Sequence, residues 1–136
     1  MRSRLLLAFS GLLLADCRDV SRDEAVHAAV WRYQLASYER SLAGQPACIG
    51  LTGRTPRIVE DPSSAVVAAL NVGATPVRPA SRCKGSQGDF VLGPVRYGWR
   101  SDADVEGTAL EGHYRYHLEG RRGRWRVTEG VMLFIY

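Results

Sequence analysis

The chain has 136 residues, a one-domain length, with 46% hydrophobic and 24% charged side chains. That composition excludes a disordered chain and a multi-pass membrane protein. The formal net charge of +4 is carried almost wholly by arginine, since Lys84 is the only lysine, and it is too modest to imply nucleic acid.

Arg2 and Arg4 precede an apolar run, Leu5 to Ala15. The run is too short to cross a hydrocarbon core of ~30 Å as a helix. It matches the apolar segment of a secretory signal peptide, and the shift to polar residues at Asp16 ends it. We expect residues 1–16 to be the signal peptide, 17–20 a tether and 21–136 a single domain. Leu14-Ala15-Asp16-Cys17 resembles the lipobox of bacterial lipoproteins, whose cysteine takes a thioether-linked lipid. Asp16 departs from that pattern, which prefers a small residue there, so ordinary cleavage after Ala15 is the competing reading. The resemblance implies a lipid on Cys17 and a chain anchored on the periplasmic side of a bacterial membrane. The alternative is a soluble periplasmic or secreted form.

Three cysteines are an odd number. With Cys17 lipidated, Cys48 and Cys83 are left as one pair, and export permits a disulfide between them. No histidine adjoins either residue to suggest a catalytic thiol.

Ser21-Arg22-Asp23-Glu24 reads as a capping box, with acidic residues at the positive end of the helix dipole. The helix should run to about Ala43, with Gly44 as its left-handed cap and Pro46 beyond. Val26, Val30, Tyr33 and Ser37 form one stripe, and Trp31, Leu35, Tyr38 and Leu42 a second. The apolar arc is therefore wide, as for a helix lying across a sheet. His27 falls between the stripes and is expected at the surface or its boundary.

Cys48 to Leu51 is a short apolar strand, followed by a loop at Gly53–Pro56. Asp61 and Pro62 suit the N-cap and first position of a second helix, which buries Val66, Val67 and Leu70 and ends at Asn71 and Gly73. Thr75 to Gly88 reads as loop. From Phe90 the period becomes two: Val95, Tyr97 and Trp99 alternate with Arg96, Gly98 and Arg100. Ser101 to Asp104 reads as a turn. Leu110, Gly112, Tyr114, Tyr116 and Leu118 then share one strand face, and Glu111, His113, Arg115, His117 and Glu119 the other. Gly120-Arg121-Arg122-Gly123 is a tight hairpin leading to a last strand, with Trp125 and Val127 inward and a bulge or bend at Gly130. The expected class is α+β: a long N-terminal helix and a short helix packed on a curved antiparallel sheet.

This layout resembles the NTF2-like or cystatin-like class of small folds. More narrowly, Asp61-Pro62-Ser63, Pro79-Ala80-Ser81-Arg82-Cys83 and Gly123-Arg124-Trp125-Arg126-Val127 are similar to a pattern shared by small uncharacterised exported bacterial proteins. Those motifs are structural, and the resemblance implies no activity. In NTF2-like enzymes the working site is a cone between helix and sheet. Here Tyr33, Tyr97, Trp99, Tyr114 and Tyr116 are the residues that would line such a pocket, or else simply form the core. Gln87 to Gly93 is only a loose echo of the cystatin inhibitory loop.

Glu111, His113 and His117 form the one cluster with metal-ligating residue types. Along a strand His113 and His117 lie roughly 13 Å apart, too far to share an ion, so the cluster reads as a solvated face and no metal or cofactor is expected. Arg121, Arg122 and Arg124, with Arg126 and Arg115 nearby, could bind an anion or a lipid headgroup, or serve as a solubilising hairpin tip. The favoured reading is a non-catalytic cell-envelope domain that binds a partner, an envelope protein among the candidates, or supports an assembly. The alternative is an NTF2-like pocket that binds or processes a small apolar ligand.

Overall fold

Ser21 opens the fold as the sequence predicts, its hydroxyl accepting a hydrogen bond from the Glu24 amide at 3.2 Å. The computed structural model describes residues 21–52, 58–84, 89–110 and 112–135. The signal peptide, Cys17 and its tether, the Gly53–Pro56 loop, Gln87, Gly88, Glu111 and Tyr136 lie outside the described residues. Helix α1 spans Arg22–Leu42. The left-handed cap falls at Ala43 (φ 50°), one residue before the expected Gly44, which itself has φ 81°. The Ala43 amide still reaches the Glu39 carbonyl at 3.3 Å, so the helix closes there.

Strands β1 (Ala47–Thr52) and β2 (Val59–Glu60) precede helix α2 (Ser64–Leu70). The N-cap of α2 is Ser63, not Asp61. Ser63 Oγ accepts from the Val66 amide and donates to Glu24 Oε2, both at 3.3 Å. Asp61 is drawn away because its carboxylate receives the amide and the hydroxyl of Ser81. The expected loop from Thr75 holds β3 (Val77–Pro79) and a 3₁₀ turn at Ala80–Arg82.

The remaining strands are β4 (Phe90–Leu92), β5 (Arg96–Tyr97), β6 (Asp102–Ala109), β7 (Gly112–Arg121) and β8 (Arg124–Ile135). The sheet runs β2-β1-β4-β6-β7-β8, with β3 also paired to β1 and β5 to β6. The fold is α+β, but the sheet is mixed, not antiparallel throughout. β3 and β4 both run parallel to β1. The chain leaves β1, crosses through α2 and returns in the same direction, as parallel strands require.

The segment read as a turn at Ser101–Asp104 is largely the start of β6. Its residues alternate strictly between half-buried Asp102, Asp104, Glu106 and Thr108 and buried Ala103, Val105, Gly107 and Ala109. Trp99 does not continue the period-two pattern inward; it lies in a solvent-facing turn, 90% exposed. The β7–β8 hairpin is as expected, with Arg122 (φ 52°) and Gly123 (φ 76°) both in the left-handed region. That is the signature of a type I′ turn.

Two irregularities flank Gly130. The register slips between His117 and Leu118 and again between His113 and Tyr114, leaving Thr128 and Leu133 without partners in the β7 ladder. Each slip rephases which β8 side chains face inward. Gly130 lies opposite Tyr116 and gives its ring room: a Cβ there would sit 3.4 Å from it.

The core fills the space between α1, α2 and the inner face of the sheet. Trp31, Ile49, Phe90, Leu92 and Leu118 are its largest fully buried apolar members. Cys48 in β1 and Cys83 after the 3₁₀ turn form a disulfide (S–S 2.06 Å, Cα–Cα 6.3 Å). Among the described residues no helix is long and apolar enough to cross a membrane.

Candidate functional site

Helix α1 crosses the inner sheet face obliquely, and its polar side chains meet the sheet at three places. At its start, Arg22 stacks its guanidinium over the Tyr97 ring at 3.9 Å and lies 5.6 Å from the Trp125 ring. The Tyr97 hydroxyl donates to Asp23. Burial, with that bond, pushes the Tyr97 hydroxyl up to about 12.

One turn on, His27 is buried, against the expectation of a surface position. The loop after β4 packs over it, and its Nε2 lies 2.8 Å from the Gly93 carbonyl. A carbonyl only accepts, so the proton is on Nε2. Burial holds the His27 pKa below its ordinary value despite that bond and the nearby Asp23 and Glu24.

Midway, Gln34 is wholly buried and donates to the Tyr116 hydroxyl at 2.9 Å, while its Oε1 has no partner among the described residues. Burial pushes the Tyr116 hydroxyl to about 12, with Gln34 working the other way. Tyr38 and Tyr114 share a 2.7 Å hydroxyl pair, and burial raises the Tyr38 pKa beyond its ordinary range. Tyr114 and Tyr116 stack at 5.9 Å, and Tyr33 meets Tyr116 edge-on at 6.0 Å. The structure thus brings together Tyr33, Tyr114 and Tyr116, adds Tyr38 and Gln34, and places Tyr97 and Trp99 elsewhere. Gln34 escaped the sequence reading because both apolar stripes ran beside it.

The outer sheet face holds the charged residues. β6 and β7 pair so that Asp104 faces His117 and Glu106 faces Arg115. His117 Nδ1 lies 2.8 Å from Asp104 Oδ1, and that bond raises the His117 pKa against partial desolvation. Glu106 takes Arg115 at 3.3 Å and His113 at 3.6 Å. His113 stacks on Phe134 at 4.9 Å, and its Nδ1 is buried without a partner among the described residues. Asp104, Glu106, His113 and Arg115 border an open groove of about 540 Å³ that also takes in Arg96 and Gly93. Opposite charges directly across a ladder stabilise one another, and that is what this face does. Among the described residues no group of three or more ligand types could hold a metal ion. Arg115 is occupied here, so it does not join the hairpin arginines.

No family model, curated protein or solved structure matches this chain.

Two surfaces stand out, at opposite ends of β8. At the hairpin, Arg121, Arg122, Arg124 and Arg126 are all exposed around a broad concavity that also includes Glu119 and Trp125. At the far end, Val131, Met132, Leu133 and Ile135 are 38–64% exposed. Helix α1 meets β8 near Gly130, where Tyr33 lies 3.7 Å from a Cβ built at that glycine, and the apolar residues lie beyond it. The sequence shows this apolar run but not that it would be uncovered; ordinarily such a run is core.

Proposed function

We propose that this chain is an exported, lipid-anchored domain of the bacterial cell envelope that acts without catalysis, by holding a protein partner at the distal end of β8. The observation that carries this reading is the exposed run Val131, Met132, Leu133 and Ile135 on a strand at one end of the sheet order. Native proteins blunt such edges with lysine, proline or charge. None of these residue types occurs from Val131 to Ile135. An extended apolar segment of the partner would add as a further strand, its backbone supplying affinity and its alternate side chains covering both faces. The Cys48–Cys83 disulfide supports an oxidising compartment, and the Cys17 motif supports anchoring there. The ligand-pocket alternative has less support, because Tyr33, Tyr114 and Tyr116 pack on one another and on Gln34.

The test is a photoreactive amino acid placed at Leu133 of the full-length chain in living cells, with Arg40 at the far end of α1 as the comparison site. Leu133 should give one discrete adduct, with an envelope protein or with a second copy of this chain, and Met132→Lys should abolish it. No adduct at Leu133, or the same adducts from Arg40, would refute partner binding at this edge.

A further inference from the structure

The start of α1 and the β7–β8 hairpin are neighbours, because Arg22 reaches both Tyr97 and Trp125. The turn between β5 and β6 joins them: the Gly120 amide donates to the Ser101 carbonyl at 2.8 Å. That turn carries Trp99 and Arg100, whose guanidinium lies 5.3 Å from the Trp99 ring. One end of the domain therefore gathers six arginines at 22, 100, 121, 122, 124 and 126. The carboxylates nearby are Asp23, held by Tyr97, Asp102, beside His117 and the Arg100 amide, and Glu119. Glu24 is turned toward Ser63. Arginines therefore outnumber carboxylates at the end from which the chain runs back toward Cys17.

We infer that this end is a docking face for an anionic phospholipid surface. Three features agree on that occupant. The arginines are exposed and close together, and guanidinium forks match phosphate oxygens. Trp99 is 90% exposed, and an amphipathic indole is the residue type that settles at headgroup depth. The four residues from Cys17 to Val20 span at most about 14 Å when extended. A lipid on Cys17 would therefore hold this end, and no other, against the bilayer. The apolar end of β8 would then project about 30 Å away, since nine residues of strand separate Arg124 from Leu133. The inference rests on the anchored reading for its geometry, while the charge argument holds without it.

The experiment uses the exported chain purified from membranes or periplasm, with its N-terminal peptide analysed by mass spectrometry. That analysis decides lipidation of Cys17 separately from everything below. The chain is mixed with vesicles of phosphatidylcholine alone, or with 30% phosphatidylglycerol, each containing brominated acyl chains. If the chain is lipidated, both vesicles capture it, and quenching of tryptophan fluorescence that disappears in Trp99→Phe reports the docked face. If it is not, sedimentation reports binding directly. Quenching or binding should require phosphatidylglycerol, weaken with salt, and fall about thirtyfold in apparent affinity in Arg121→Gln/Arg122→Gln. Arg40→Gln/Arg82→Gln, exposed positions elsewhere with the same loss of charge, should match wild type. Equal behaviour on the two lipids, or equal loss from the two double variants, would overturn the docking face whatever Cys17 carries.

Discussion

Replacing Cys48 and Cys83 together with alanine removes the covalent tie between β1 and the 3₁₀ turn. The two cysteines are 35 residues apart, and the intervening chain contains β2, α2 and β3. For that separation the chain-entropy relation gives about 3.8 kcal/mol at 25 °C. This stabilisation acts through the unfolded state, which the bond keeps from expanding. Native packing adds a smaller loss, on the order of 1 kcal/mol, because the Cys48 sulfur is buried against the core. Wild type with and without reductant isolates the entropic part, since reduction leaves both sulfur atoms in place. With a urea m-value of about 1.5 kcal/mol/M, reduction should lower the unfolding midpoint by about 2.5 M and raise m. The measurement is circular dichroism against urea for oxidised wild type, reduced wild type and the double variant, the last falling slightly below the second. A midpoint shift under about 0.7 M on reduction, about 1 kcal/mol at that m-value, would refute the reasoning.

Other consequences are equally concrete. Gly107 faces Leu92 across β4–β6, and a Cβ there would lie 2.5 Å from the Val91 carbonyl and 2.6 Å from Leu92 Cδ2. Gly107→Ala should cost about 1–3 kcal/mol in denaturant unfolding, while Gly73→Ala, with open space around it, should be nearly silent. Tyr116→Phe leaves the buried Gln34 amide with nothing to bond and should cost about 1–3 kcal/mol, most of it recovered in Gln34→Met/Tyr116→Phe; a double variant less stable than the single one would contradict this. The two perturbed histidines oppose each other in pH. The His117 pKa is raised above 6.5 by its bond to Asp104, so its stabilisation is complete below that value and is lost as pH rises through the folded pKa. The His27 pKa is lowered by burial, so its neutral form costs nothing above 6.5 and stability falls as pH drops below that value, through the folded pKa. Thermal midpoints across about pH 5–9 should lose their alkaline decline in His117→Gln and part of their acid decline in His27→Gln; profiles parallel to wild type would exclude these residues as the cause.

Local chemistry made several elements legible in the sequence. Ser21 marks the start of α1 because an N-cap acts within four residues, whereas Glu24, expected as the other half of a capping box, turns its carboxylate to Ser63 instead. The Gly120–Gly123 hairpin could be read for the same reason, as its turn needs only two residues that accept positive φ. The Cys48–Cys83 pair followed from counting. What failed to read was non-local. Asp102 and Asp104 look like turn residues until β7 pairs with them, placing His117 opposite Asp104 and within 3.9 Å of Asp102. Val77 to Pro79 has no strand signal of its own and becomes a strand only because β1 offers it a parallel edge. His27 is buried because a loop more than sixty residues away closes over it.

The candidate surfaces divide in the same way. The arginines of the hairpin and the apolar end of β8 were both visible as composition. Sequence alone determined that they exist, and how far apart along one strand they sit. Only the tertiary structure decided that Arg22, Trp99 and Arg100 join the hairpin, that Arg115 leaves it for Glu106, and that Val131 to Ile135 stay exposed. The reason is physical. Period and capping are set by neighbours in the chain, whereas burial is set by which distant element arrives to cover a face, and two bulges in β8 change which face that is.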